Sequence, residues 1–196
     1  MGGAELRRHK RMDDADLGEA VARARDGDDV AFGVVYRELH PMLLGYLRGL
    51  IGDDADDIAS ETWHDIVRDL RGFRGDGLSF RGWAATIARH RALDHVRRTS
   101  ARPRTTALDE RTAEPATTQD SEGLALDNIS TERALSLIAE LPRDQAEAVL
   151  LRVVLGLNGP MAAKVLGKRP GAVRTASHRG LKRLSERLNG AEENER

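Results

Sequence analysis

The chain has 196 residues, with 31 Lys and Arg against 32 Asp and Glu, a formal net charge of -1 and no Cys. That length allows one ordinary domain or two small ones, and the lack of Cys excludes disulfide frameworks, thiolate zinc sites, iron–sulfur clusters and a Cys nucleophile. With 40% hydrophobic and 32% charged residues, the composition is that of a soluble chain with a modest core; no apolar run approaches the roughly 20 residues of a membrane span, and no apolar stretch follows the basic N-terminus as a secretory signal requires.

Sustained two-residue alternation is absent, so the chain reads as all-α. Residues 1–27 read as an N-terminal tail and the start of a first helix. Val30, Val34, Leu39, Leu43, Leu47 and Leu50 recur at helical spacing, across a bend expected near Pro41. Ile58, Thr62, Ile66, Val67 and Leu70 mark the next helix, with Asp53 and Asp54 at its positive end. The stretch Gly72-Phe73-Arg74-Gly75-Asp76-Gly77 breaks the pattern and predicts a loop. A third helix is expected from about Ser79, a good N-cap, to Arg98. These elements make a first domain over 28–100. Residues 101–130 are rich in Thr, Ala, Pro and acids and read as a flexible linker. Leu135, Leu137, Ile138 and Leu141 restore the helical pattern from Thr131, followed by Ala146–Leu155, a short helix Pro160–Leu166, and a last helix from Pro170 to about Leu188. This second domain, 131–188, is followed by an acidic tail, 189–196.

The near-zero net charge conceals blocks. Residues 13–67 carry net -10, 68–104 net +7, 105–142 net -6 and 143–188 net +7. Two basic blocks separated by acidic ones indicate two polyanion contacts, or clustered solvated helix faces.

Gly167-Lys168-Arg169-Pro170 fits the corner of a helix-turn-helix: Gly for a left-handed residue, Pro for the first helical position. At 100° per residue, Val173, Ser177, Gly180, Leu181, Leu184 and Leu188 share one side of the last helix. Thr175, His178, Arg179 and Lys182 share the other, with Arg174 at the border. Arg174, Thr175, His178 and Arg179 are candidates for base edges in a major groove, and Lys168, Arg169, Lys182 and Arg183 for phosphates. An amphipathic bundle helix is the alternative.

In the first domain Phe73, Phe80 and Trp83 surround the Gly-rich loop, and His95-Val96-Arg97-Arg98 ends the third helix. Aromatics beside Arg suit unpaired bases, which stack on rings while Arg holds the backbone; Phe80 and Trp83 equally suit a core. Arg91 and Asp94 are close enough to pair, and Arg89 points away from the apolar face. Asp57 and Glu61 share a face of the acidic helix, which would repel DNA and suits a basic protein surface. No carboxylate cluster converges with His as a metal site would, and neither a hydrolytic triad nor a phosphate loop is present.

Several of these motifs, in this order, resemble the extracytoplasmic-function (group 4) sigma factors of bacterial RNA polymerase. Asp54-Ala55-Asp56-Asp57-Ile58-Ala59-Ser60-Glu61-Thr62-Trp63 is similar to region 2.2. Gly72–Asp76 with Phe80-Arg81-Gly82-Trp83 is similar to the loop and start of region 2.3, and Ile87 to Arg98 to region 2.4. Leu141-Pro142-Arg143-Asp144-Gln145 and the helix-turn-helix resemble region 4. The resemblance implies that Asp57, Ser60 and Glu61 meet the clamp helices of the β′ subunit. It assigns the non-template strand of the minus-ten element to Phe73, Arg74, Trp83, His90, Arg97 and Arg98. The minus-thirty-five element falls to Arg174, Thr175, His178 and Arg179. Ser60 stands for a usual Gln, Met161 for a usual Glu, Arg169 for a Ser or Thr cap, and Ala176 and Ser177 for bulkier residues.

The expected function is that of an alternative sigma factor that binds core RNA polymerase, through the β′ clamp and β flap, and directs promoter recognition and opening. A conventional helix-turn-helix regulator acting without polymerase is the alternative. No enzymatic activity, cofactor, metal or membrane insertion is expected; promoter DNA and an anti-sigma factor are the expected further partners, in the cytoplasm at the nucleoid.

Overall fold

The computed structural model describes residues 11–101 and 122–194, with side chains over 11–101 and 131–188. Among these residues the structure is helical, without strands. The first helix, α1, spans Asp14–Arg25. Its N-cap is Asp13, whose carboxylate accepts from the Asp16 N–H at 2.8 Å, and Asp14 and Asp16 favour the positive end. It packs on the two long helices of the first domain, so that domain begins before residue 28. The signal in sequence was the Asp13 cap followed by Leu17, Val21 and Ala24, all buried.

Helix α2 spans Asp29–Ile51, capped by Asp28, and is one helix through Pro41. Its core side is Ala31, Val35, Leu39, Leu43, Tyr46 and Leu47; Val30 is 73% exposed. The expected apolar face was thus rotated near its start, where Val35 rather than Val34 points inward. Helix α3 spans Ala55–Asp69 and buries Ile58, Thr62 and Ile66, but leaves Val67 exposed. Helix α4 spans Gly77–Ala101. Its cap is Asp76 rather than Ser79: the Asp76 carboxylate accepts from the Ser79 N–H at 2.8 Å. The Ser79 hydroxyl, and then that backbone bond, hold the Asp76 carboxyl below the usual carboxylate range.

The second unit begins earlier than expected. Helix α5 spans Glu122–Ala139, so residues 122–130 are helical where a linker was expected; the rest of that segment, 102–121, lies outside the described residues. Helix α6, Arg143–Val149, continues into a π-helical turn, Leu150–Val154. Helix α7 spans Gly159–Leu166, with Asn158 capping it and Pro160 in its first turn. Helix α8 spans Pro170–Asn194, running through most of the segment expected as a tail.

One continuous core results. Leu17, Val35, Leu39, Leu43, Ile58, Ile66 and Phe80 fill the space among α1–α4, and Leu151, Leu155, Ala162 and Val173 extend it among α6–α8. Each fully buried Leu or Ile contributes about 1.5–3 kcal/mol. The two units also touch. Helix α7 lies against α4, and α5 and the π turn lie against α2.

Candidate polymerase and nucleic-acid interfaces

The acidic helix separates into two faces. Asp57 is exposed and has no ion-pair partner among the described residues. Ser60 is exposed, and its hydroxyl donates to the Asp56 carbonyl at 3.1 Å. Glu61 is half-buried, 3.3 Å from Arg91 and 3.9 Å from Arg98. Asp65, one turn further, is buried and takes Arg91 Nε at 2.6 Å and Arg68 Nη1 at 2.6 Å. Burial opposes its ionisation, but the bonds and charge of Arg91, then of Arg68, win and hold the carboxyl below its usual range. Arg91 therefore does not pair with Asp94, as spacing alone suggested; Asp94 takes Arg97 at 3.1 Å. The reason is tertiary: α3 packs on α4 and offers a buried carboxylate.

Sequence reasoning missed an aromatic group under this helix. Trp63 Nε1 donates to His40 Nδ1 at 3.1 Å, and Tyr36 stacks on His40 at 4.8 Å. Burial lowers the His40 pKa, which suits an imidazole that accepts at Nδ1. The i, i+4 spacing of Tyr36 and His40 was the available signal.

The Gly-rich loop and α4 build an aromatic cleft. Phe80 is fully buried and serves as its floor, so the core reading holds for that residue. Phe73 and Trp83 are partly exposed, with centroids 5.1 Å apart, and lie 5.2 and 5.5 Å from Phe80. A cavity of about 480 Å³ opens beside them, lined by Phe73, Arg74, Trp83, Thr86, Met161 and Lys164. Arg74 folds back, donating to the carbonyls of Arg71 and Phe73 at 2.8 and 2.7 Å. Trp83, His90 and Arg97 recur every seven residues and so form one stripe along α4; His90 and Arg97 are exposed. Arg98, also exposed, lies beside Glu61 instead.

The helix-turn-helix is formed by α7 and α8. Gly167 takes φ 63°, ψ 32° between them, a conformation that a side chain would strain. Val173 and Ser177 are buried, and Gly180 brings α8 onto α6: a Cβ there would meet Val149 at 2.8 Å. The opposite side is open. Lys168, Arg169, Arg174, Thr175, His178 and Arg179 are exposed. The four cations among them have no ion-pair partner among the described residues. Lys182 lies 3.8 Å from Glu186, and Arg183 donates to Gln145 at 3.1 Å, which ties it to α6. Leu181 and Leu188, expected on the packing side, are 45% and 48% exposed.

The sigma-70 region 2 family matches residues 35–102, and the sigma-70 region 4 family residues 131–184. The sigma factor ShbA of Streptomyces griseus is 34% identical over 177 residues, covering 86% of this chain and 93% of that protein. SigD of Mycobacterium tuberculosis is 34% identical over 181 residues, covering 88% and 84%. Among solved structures, CnrH in complex with the cytosolic domain of CnrY aligns with a TM-score of 0.59 at 22% identity, covering 89% of this chain and 98% of that one. RpoE in complex with the anti-sigma factor NepR, from Bartonella quintana, aligns with a TM-score of 0.59 at 20% identity, covering 81% and 96%; both show the fold. Both regions occur in order on one chain, and homologues align over most of their length: the protein belongs to the extracytoplasmic-function RNA polymerase sigma factors of the sigma-70 family, which bind core polymerase and promoter DNA and direct transcription initiation.

Proposed function

We propose that the two units divide promoter recognition. The cleft of Phe73, Arg74 and Trp83, continued by the His90–Arg97 stripe and Arg98, captures unpaired bases of the minus-ten element. Stacking is the chemistry the cleft offers: two partly exposed rings over a buried third, beside a cation. Helix α8 enters a major groove, with Arg174, Thr175, His178 and Arg179 at base edges and Lys168, Arg169 and Lys182 at phosphates; Arg183 reaches phosphate only by leaving Gln145. Asp57 and Ser60, with Glu61 beside them, meet the β′ clamp, and the region 4 unit meets the β flap.

The chain performs no chemistry itself. Opening follows from preferential binding of flipped bases, and bond formation belongs to the polymerase. Two solved neighbours are complexes with the cytosolic domain of CnrY and with the anti-sigma factor NepR. By analogy, an anti-sigma factor is a partner of this chain. Its working place is the cytoplasm, at the nucleoid.

The observation that carries this reading is the free cationic face of α8 on the same chain as the aromatic cleft. Its test is run-off transcription from genomic fragments with core polymerase, with and without this chain. New discrete transcripts are expected. No transcripts and no core binding, with tight duplex binding by the chain alone, would favour a conventional regulator instead.

A further inference from the structure

The end of the Gly-rich loop sits on the first turns of α1, backbone against backbone. Gly77 opens α4 and is buried. A Cβ on it would overlap the Asp14 carbonyl oxygen and lie 3.0 Å from the Leu17 Cβ. Across the contact is Gly18, where a Cβ would lie 3.2 Å from the Gly77 nitrogen. Glycine therefore stands on both sides, although within α1 it lowers helix propensity. The same loop supports the aromatic cleft: a Cβ on Gly75 would lie 2.9 Å from the Phe73 ring and 2.9 Å from the Ser79 Cβ.

Arg81 ties α4 to this seat. It is buried and, two positions before Trp83, lies on nearly the opposite side of α4. Its Nη2 donates to the Met12 carbonyl at 2.7 Å, and its Nη1 lies 3.0 Å from the Asp14 carboxylate. Its Nε is buried with no hydrogen-bond partner among the described residues. Burying this guanidinium is therefore costly, and the contacts with Met12 and Asp14 are what offset it. The Met12 N–H in turn donates to Glu38 of α2 at 3.0 Å. Neither Arg81 nor Gly18 lines the cleft. All these contacts lie within residues 12–81 and so within the first domain. Gly18 also precedes residue 35, where the region 2 match begins.

From this geometry we infer that Gly18 and Arg81 are positioning residues for promoter opening. Helix α1 is the seat that sets the height of the Phe73 and Trp83 rings. Gly18 admits Gly77, Arg81 fixes the back of α4, and an unpaired base then meets both rings at stacking distance. The inference rests on the reading of the Phe73–Trp83 cleft given above. Stacking is steep in distance: a gap of about 0.5–1 Å forfeits a quarter to a half of each dispersion contact. Close-packed elements pass a displacement on rather than absorb it. A shift at the seat therefore reaches the rings, while Asp57 and Ser60, on α3, keep their exposed face.

The test uses the full-length chain, core polymerase and a promoter fragment identified by run-off transcription. Gly18→Ala is the diagnostic variant. Alanine favours a helix interior over glycine, and the crowding it brings at 3.2 Å is relieved by a small shift of the loop. Thermal unfolding at or above the wild-type temperature and unchanged core binding in a pull-down are expected. Permanganate reactivity of the minus-ten thymines is expected to fall about fivefold. Asp14→Ala, which takes one partner from Arg81, should share the defect; Asp14→Asn, which keeps an oxygen there, should restore opening. Normal reactivity with both Gly18→Ala and Asp14→Ala would overturn the inference. So would a loss of opening matched by an equal loss of thermal stability, the mark of a merely structural role. Trp83→Ala in the same assay separates the two readings. If it opens normally, the cleft assignment itself fails; if it alone is defective, only the positioning role is overturned.

Discussion

The two basic blocks have equal net charge and opposite uses. In the first domain, Arg68, Arg81, Arg89, Arg91, Arg97 and Arg98 each face a carboxylate, and Arg74 is bound to backbone carbonyls. In the second, Lys164, Lys168, Arg169, Arg174 and Arg179 have no ion-pair partner among the described residues. Positive charge in the first block mostly holds α4 against α1, α3 and the other unit. In the second, Arg143, Lys182 and Arg187 face carboxylates, but the unpaired remainder is available to a polyanion. Stacking therefore falls to the first unit in the proposed division, and phosphate and base-edge contact to the second.

The largest effect is expected at the cleft. Trp83→Ala removes a stacking platform worth about 1–3 kcal/mol per base. Transcription should fall roughly tenfold or more by that measure, while core binding in a pull-down is retained. Next is the structural cation network. Asp65→Asn removes the buried carboxylate between Arg91 and Arg68, which keep Glu61 and Asp69 as partners, and should cost about 2 kcal/mol, because Asp65 is buried but both cations reach solvent; thermal unfolding measures it. The pH sign follows from the depressed Asp65 carboxyl. Its stabilisation is present above the ordinary carboxylate value of about 4 and is lost as pH falls through the lower folded value. The Asn variant should lose that acid-dependent component.

Substitutions on α8 should behave differently. Arg174→Ala and Arg179→Ala should each cost about 1–3 kcal/mol of discrimination at their base positions. Lys168→Ala and Arg169→Ala should weaken binding evenly across sequences and lower the salt slope by about one each. Equal salt slopes for all four would merge the two groups. The smallest difference expected is on α3. Asp57→Lys should weaken core binding more than Glu61→Lys, because Glu61 already faces Arg91 and Arg98 within the chain. A pull-down ranking Glu61 first would move the polymerase contact along the helix.

Much of this was legible before the structure. The helix-turn-helix could be read because its signals are local: Gly167 at the corner, Pro170 at the next helix, and a period that divides α8 into two sides. The Gly-rich loop and the flanking rings were likewise visible. Three things were not. Asp94 lay at pairing distance along α4, but Arg91 is drawn to Asp65, a choice made by tertiary packing. The exposed Val30 and Val67 fit the period as well as their buried neighbours did. And nothing local marks Arg89 and Glu147 as partners 58 positions apart, or Met161 as a neighbour of Gly82. Contacts between the units depend on how two helical surfaces meet, which periodicity within one helix does not encode.

The most direct test of the division is permanganate footprinting on a promoter identified by run-off transcription, with core polymerase and each of three chains. Wild type should open the minus-ten region. Trp83→Ala should occupy the promoter, as DNase protection shows, with little thymine reactivity. Arg174→Ala/Arg179→Ala should lose occupancy itself. Normal reactivity with Trp83→Ala, or unchanged occupancy with the α8 pair, would contradict the assignment of opening to the cleft and of duplex reading to α8.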